Sequence, residues 1–394
     1  MKNLAVTILR TLCPPLFSLL TFILALTNAF AAEPSGTMAN EKTIRELVGA
    51  MLLVGFRGTS IDESSIIVRD LRDYHVGGVI LFDYDGEKKT YDRNFQSAAQ
   101  LKSLIQQLKS YSREPLFIGV DQEGGAVERL KPRWGFPAFL GAKELGEAEE
   151  TTPGSIYKSS LSMGAVLREV GFNLNFAPDV DVNVNPQNPV IARHGRSYSA
   201  NPDKVAHDAE EFIRGQRENA VLTSIKHFPG HGSSLTDSHL GFTDISSTWE
   251  PSELTPFQVL IQRGQADMVM VGHLFYKPWD ATYPTSLSSE IINGILRGKN
   301  PRSGLNLNFD GVVITDDLQM RAIGDHFTLE ETVVHAINAG VDILLFGNTL
   351  VYDPEIVPKV QAIVLKAVED GQISLHTLEL ANLRISRLRN RLKP

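Results

Sequence analysis

The chain has almost no cysteine. Cys13 is the only one in 394 residues, so no intrachain disulfide and no thiolate metal site can form. Folded stability must come from an apolar core. Long hydrophobic runs are also missing. The stretch from Pro15 to Leu26 is the one nearly continuous apolar segment, shorter than the roughly 20 residues a helix needs to cross a bilayer. There is no basic excess either. Lysine and arginine number 38 against 46 acidic residues, a formal net charge of −8. That balance argues against nucleic acid or an anionic membrane surface as partner.

The first 31 residues read as a leader. Lys2 and Arg10 give a positive start, the apolar run follows, and Ala29-Phe30-Ala31 supplies the small-x-small pattern of a signal-peptide cleavage site. Cys13 lies too early for a lipoprotein site. The expectation is an exported protein, periplasmic or secreted, with no stable membrane anchor after cleavage. Loss of Lys2 and Arg10 takes the net charge to −10. Residues 32–394 contain no low-complexity linker, and the expectation is one domain acting as a monomer.

Within that domain apolar, β-branched runs recur at Leu52–Phe56, Gly78–Phe82, Leu116–Asp121, Phe172–Asp179, Leu222–His227, Met268–His273, Gly311–Asp316 and Ile343–Gly347. Helix-period stretches separate them, among them Ala99–Leu108, Ile156–Val170, Lys204–Asn219, Ser288–Arg297 and Leu329–Ala339. Continuous apolar strands alternating with helices predict a parallel sheet covered on both faces. Eight strands at this spacing favour an α/β fold of the single (β/α)8 TIM-type barrel. A further helix over Ser374–Leu392 ends in a basic cluster, expected to be a solvated face.

Asp121, Asp179, His227, His273 and Asp316 each fall at the C-terminal end of an expected strand. In a barrel those ends converge on the face where active sites are built. Asp121 opens an Asp-Gln-Glu-Gly-Gly turn, where its carboxylate suits either sugar hydroxyls or a salt bridge to Arg129. Arg196, in His-Gly-Arg-Ser-Tyr, offers a planar donor array for oxygen ligands or a brace for its loop. The segment Lys226–His239 gathers a lysine, three histidines and an aspartate among glycines, proline and small hydroxyl residues. Asp237, two residues before His239, would fix its tautomer and raise its pKa, as acid/base work requires. Asp316 and Asp317 form an acidic pair at a strand end. Asp316 continues directly from the strand and is the expected nucleophile, with Asp317 a cap or brace. A divalent-metal site from His227, His231, Asp237 and His239 is a minor alternative, weakened by the cation of Lys226 beside it.

Taken together, Gly77–Phe82, Val120–Gly125, Gly195–Ser197, Lys226–Gly232, Asp237–His239 and Thr315–Leu318 resemble the β-N-acetylglucosaminidase branch of glycoside hydrolase family 3. The motifs occur in the family's order and cover most of the chain beyond the leader. The resemblance implies a retaining hydrolase of terminal, non-reducing β-linked N-acetylglucosamine in peptidoglycan fragments or chitooligosaccharides. Asp316 would be its nucleophile, and His239 with Asp237 its acid/base. Asp121, Arg129, Arg196, Lys226, His227 and His273 would hold the sugar, and no metal or organic cofactor is implied. Ala126 stands where the family usually has arginine, and Ser233-Ser234 where Asp-Thr is common. The other readings are a β-glucosidase or a glycosyl phosphorylase on the same barrel, or a non-catalytic cell-wall glycan-binding protein.

Overall fold

The computed structural model describes residues 35–299 and 304–392, so the expected leader lies outside the described residues. Eight parallel strands appear where the apolar runs predict them: β1 Leu52–Gly55, β2 Gly78–Ile80, β3 Phe117–Val120, β4 Leu174–Asn175, β5 Leu222–Phe228, β6 Met268–Val271, β7 Val312–Thr315 and β8 Leu344–Phe346. They pair in chain order, with β8 beside β1. A parallel bridge between Ile314 and Ile343 brings β7 to the start of β8 and closes the ring. The chain is a (β/α)8 TIM-type barrel, with every residue of these eight strands buried. That explains why the strands read as unbroken apolar runs rather than alternating ones.

Helices separate the strands and cover the barrel, including Ala98–Tyr111, Ser155–Val170, Pro202–Glu218 and Leu329–Ala339. Their buried faces, such as Leu101, Leu104, Ile105 and Leu108, follow the helical period. The expected helix over Ser288–Arg297 is a wider turn at Glu290–Leu296, where the Arg297 amide reaches back five residues to Ile292. Among the described residues, no helix is long and apolar enough to cross a membrane.

β4 is shorter than its apolar run, and side chains supplement its backbone rungs. Asn173 accepts from the Ile118 amide at 2.7 Å and donates to the Leu116 carbonyl at 2.8 Å. Asn175 does the same at the other end, accepting from Gln122 N and donating to Gln122 O. Pro178, lacking an N–H, could not have continued the ladder.

The basic end of the C-terminal helix Leu375–Arg389 is solvated only in part: Arg387 and Arg391 are exposed, but Arg384 and Arg389 are not. Arg384 pairs with Asp342, Arg387 with Asp310 and Arg391 with Asp267. These aspartates precede β8, β7 and β6, so the pairs tie the helix to the N-terminal end of the barrel. Arg389 is buried.

Candidate active site

The C-terminal strand ends form one face, and the polar residues that follow them meet there. Asp121 lies one residue after β3, where Gly124 and Gly125 turn the chain back at φ of 93° and 59°, angles that glycine adopts without penalty. At Gly232, a Cβ would sit 1.7 Å from the Val182 carbonyl. Only glycine lets this loop lie so close to the segment after β4.

Beneath the face runs a buried lattice of alternating charges. Lys226, near the end of β5 and 3 % exposed, donates to Asp121 Oδ1 at 3.0 Å and lies 2.7 Å from Glu123 Oε1. Burial disfavours the ammonium, but Glu123 and Asp121 outweigh it and raise its pKa. Arg196 grips both Glu123 oxygens at 2.8 and 2.9 Å and lies 3.2 Å from Asp179. Burial opposes ionisation of Glu123, yet Arg196 and Lys226 hold it well below the ordinary carboxylate range. His227 Nδ1 lies 2.7 Å from Asp181 Oδ2, while its Nε2 is 3.4 Å from Arg196 Nη2. With the guanidinium donating there, the Nδ1 proton goes to Asp181.

Asp179, Asp181 and His227 are the one group among the described residues whose ligand atoms converge as a metal site would, within 4.8 Å of one another. Arg196 already places a cation against Asp179 and His227. The four-residue metal set considered from sequence does not assemble. His231 spends both ring nitrogens on Ser234 and Ser238, and Asp237 is committed to His239.

Above this lattice, a cavity of about 250 Å³ is lined by Asp121, Arg129, His239, Asp316 and Asp317, with Phe82, Met270, Met320 and Leu345 as apolar walls. Asp316 follows β7 directly, and its Oδ1 accepts from the Asp317 amide at 2.8 Å. Burial pushes its carboxyl up, but the imidazoles of His227, His273 and His239 outweigh that and hold it at about 2. Asp317 turns the other way and accepts from the Gly347 and Gln319 amides at 2.9 and 3.1 Å. Burial lifts it to about 6. The two acids thus separate: one is an anion among imidazoles, the other a brace on β8.

His239 and Asp237 sit on the exposed loop after β5. Asp237 Oδ1 takes both the His239 amide, at 2.9 Å, and its ring Nδ1, at 2.7 Å. Nε2 is thereby left for the cavity. Burial depresses the imidazole pKa, but the hydrogen bond to Asp237 and the charge of Asp316 outweigh it, so the net shift is upward. His231 clasps this loop from below. Buried and held neutral by burial, with a pKa of about 4, it links Ser234 Oγ at 2.7 Å to Ser238 Oγ at 3.2 Å. Ser238 stands between the two dyad residues.

Arg129 lies 3.7 Å from Asp121 and over the Phe82 ring. His273 is engaged at both nitrogens, by Ser286 Oγ at 2.8 Å and the Asp317 carbonyl at 2.9 Å. That geometry positions the acidic pair and leaves His273 no free nitrogen for a ligand. The structure therefore brings all nine sequence-derived site residues to one face, but Arg196, Lys226, His227 and His273 are engaged by protein partners. Sequence reasoning passes over Glu123 and Asp181. The spacing Asp179-Val180-Asp181 carries a usable signal, because alternate residues of an extended segment share a side.

Known proteins of the same type were found by sequence and by structure. A family model described as the glycosyl hydrolase family 3 N terminal domain matches residues 43–388. Beta-hexosaminidase A of Pseudoalteromonas piscicida is 32% identical over 342 residues, covering 81% of this chain and 54% of that protein. Beta-hexosaminidase LpqI of Mycobacterium tuberculosis is 31% identical over 361 residues, 91% of this chain and 85% of its own length. A glycoside hydrolase family 3 beta-N-acetylglucosaminidase from Paenibacillus sp. strain FPU-7 superposes with a TM-score of 0.78 at 34% identity, covering 88% of this chain and 62% of that one. The chain thus spans about half the length of the first relative and under two thirds of the third.

Proposed function

Since this chain belongs to glycosyl hydrolase family 3, we propose that it is a retaining β-N-acetylglucosaminidase releasing terminal, non-reducing β-linked N-acetylglucosamine. The observation that carries the reading is the pairing, around one cavity, of an ionised Asp316 with the Asp237–His239 dyad. An anion and a protonated imidazole on the same small cavity are the two halves of a double displacement.

In the first half, the Asp316 carboxylate attacks the anomeric carbon. The bond to the aglycone oxygen breaks as His239 Nε2 delivers its proton to that oxygen. In the second, water adds to the anomeric carbon, His239 takes its proton back, and Asp316 leaves. Two inversions give net retention. A retaining glycosidase ordinarily supplies the proton from a second carboxyl group; here an imidazole raised by Asp237 takes that role, near its ordinary titration range. Asp121 and Arg129 face the sugar, with Lys226 behind them on the Asp121 carboxylate, and the apolar wall of Phe82, Met270 and Met320 suits its less polar face. The arginine–carboxylate lattice below keeps Lys226 and His227 in place. We also assign residues 1–31 as an export leader and residues 32–394 as the catalytic domain. The substrates are peptidoglycan fragments or chitooligosaccharides met outside the cytoplasm.

The test is hydrolysis of an aryl β-N-acetylglucosaminide by the purified protein in the presence of a chelator, with the anomeric configuration of the product read by NMR. Retained configuration and a preference over the aryl β-glucoside support the reading. Sugar 1-phosphate formed on adding phosphate would point to a phosphorylase. Tight glycan binding without turnover would reduce the chain to a binding protein.

A further inference from the structure

The barrel has a second polar cavity, at the end opposite the active site. It is about 560 Å³ and is lined by residues just before β2 and β3 and by the C-terminal helix, including His75, Arg113, Asn382, Ser386 and Arg389. Arg384, Arg387 and Arg391 each find an aspartate at 3.0, 2.9 and 2.6 Å. Arg389 is the exception. It is 9 % exposed, its Nε has no hydrogen-bond partner, and no carboxylate of the described residues pairs with it. Its guanidinium stacks over the Phe117 ring at 5.5 Å. Gly77 makes room for it, since a Cβ there would come within 3.0 Å of Nη2. Burial lowers its pKa, and Glu114 is the charge that opposes this.

A guanidinium is a fixed fork of donors that matches a planar oxyanion, and its charge is not given up at neutral pH. Buried without an anion, it is an uncompensated charge of the kind that strongly destabilises a fold. The cavity volume lies in the range of small-molecule sites. Arg113 adds positive potential at the wall, although Glu46 and Glu114 temper it, and burial shifts the His75 imidazole, 3.9 Å from Glu46, toward its neutral form. We propose that this cavity binds a small organic oxyanion, a carboxylate or a phosphate ester, docked on Arg389 where the neighbouring arginines hold aspartates. The site is separate from the catalytic cavity and shares no lining residue with it.

Thermal unfolding and calorimetric titration of the full chain test this, with succinate and glycerol phosphate as probes and chloride at matched ionic strength as control. The expected result is a saturable rise in Tm, about 2 °C or more at ~10 times the dissociation constant. The better of the two probes identifies the source of the oxyanion. Arg389→Met should abolish the rise. Ser386→Phe alters only an exposed wall residue, and it should block the cavity while leaving aryl-glycoside turnover unchanged. No saturable response to either probe, or the same response in Ser386→Phe and in any folded Arg389→Met, overturns the proposal.

Discussion

Replacing His231 with alanine separates positioning of the acid/base from the chemistry itself. The ring is buried, 2 % exposed, and it joins Ser234 to Ser238. Its removal orphans the Ser238 hydroxyl, leaves Ser234 Oγ only its bonds to Asn188 and Thr236, and opens a gap against the His227 ring, whose centroid lies 5.8 Å away. Two lost hydrogen bonds at about 1 kcal/mol each, plus a small cavity, give a loss of ~2–4 kcal/mol in stability. The main-chain tie from His231 N to Asp181 at 2.7 Å survives the substitution, so the barrel should still fold. The loop beyond it has less to hold it, because Leu235 and Leu240 are exposed at 67% and 73%. A displacement of about 1 Å in a catalytic group costs on the order of 100-fold in rate. The assay compares two substrates under saturating conditions. One is a β-N-acetylglucosaminyl disaccharide, whose leaving group needs a proton; the other is a dinitrophenyl glycoside, whose leaving group does not. Turnover of the disaccharide should fall about 100-fold, with much less change for the aryl glycoside while bond cleavage is limiting. Equal losses on both, or parental turnover of the disaccharide in a destabilised variant, would refute a positioning role.

Other consequences are as direct. kcat/KM should fall as pH rises through a value above 6.5, where His239 loses the proton it donates, and Asp237→Asn should move that limb to lower pH by removing the carboxylate that raises it. His239→Ala should cost ~10²–10⁴ in turnover of unactivated substrates, and a steady-state loss below tenfold would exclude it as the acid. Arg196→Ala leaves the buried Glu123 carboxylate with Lys226 alone, so urea unfolding should report a loss of about 3–5 kcal/mol. A loss under about 1 kcal/mol would contradict the lattice described above. Asp317 binds its proton more tightly folded, at about 6, than at its ordinary 3.8, so stability falls as pH rises across that interval, by at most ~3 kcal/mol. Asp317→Asn should remove that loss, so a wild-type–variant difference equal at pH 4 and pH 7.5 would refute the assignment.

The strands were legible because buried parallel strands need unbroken apolar runs, and because polar residues punctuate their functional ends. The length of β4 was not legible. Side-chain amides of Asn173 and Asn175 bind the neighbouring strand's backbone there, which no periodicity reveals. In the site, the segment Lys226–His239 announces itself by composition, and the spacing of Asp237 and His239 suffices to expect their hydrogen bond. The division between Asp316 and Asp317 depends on the amides of Gly347 and Gln319, one of them thirty residues away in the chain. Likewise, Arg196 reads as an isolated donor array until the fold brings Glu123 to it from 73 residues away. The pairing of the last arginines is hidden because their partners, Asp267, Asp310 and Asp342, are scattered before three different strands.

The central claim is that Asp316 forms the covalent bond to the sugar. The direct measurement is inactivation with a 5-fluoro N-acetylglucosaminyl fluoride, followed by mass-spectrometric mapping of the labelled peptide. One equivalent of sugar on Asp316, with protection by the product N-acetylglucosamine, is the predicted result. Label on Asp317, or full turnover in Asp316→Ala, would contradict it.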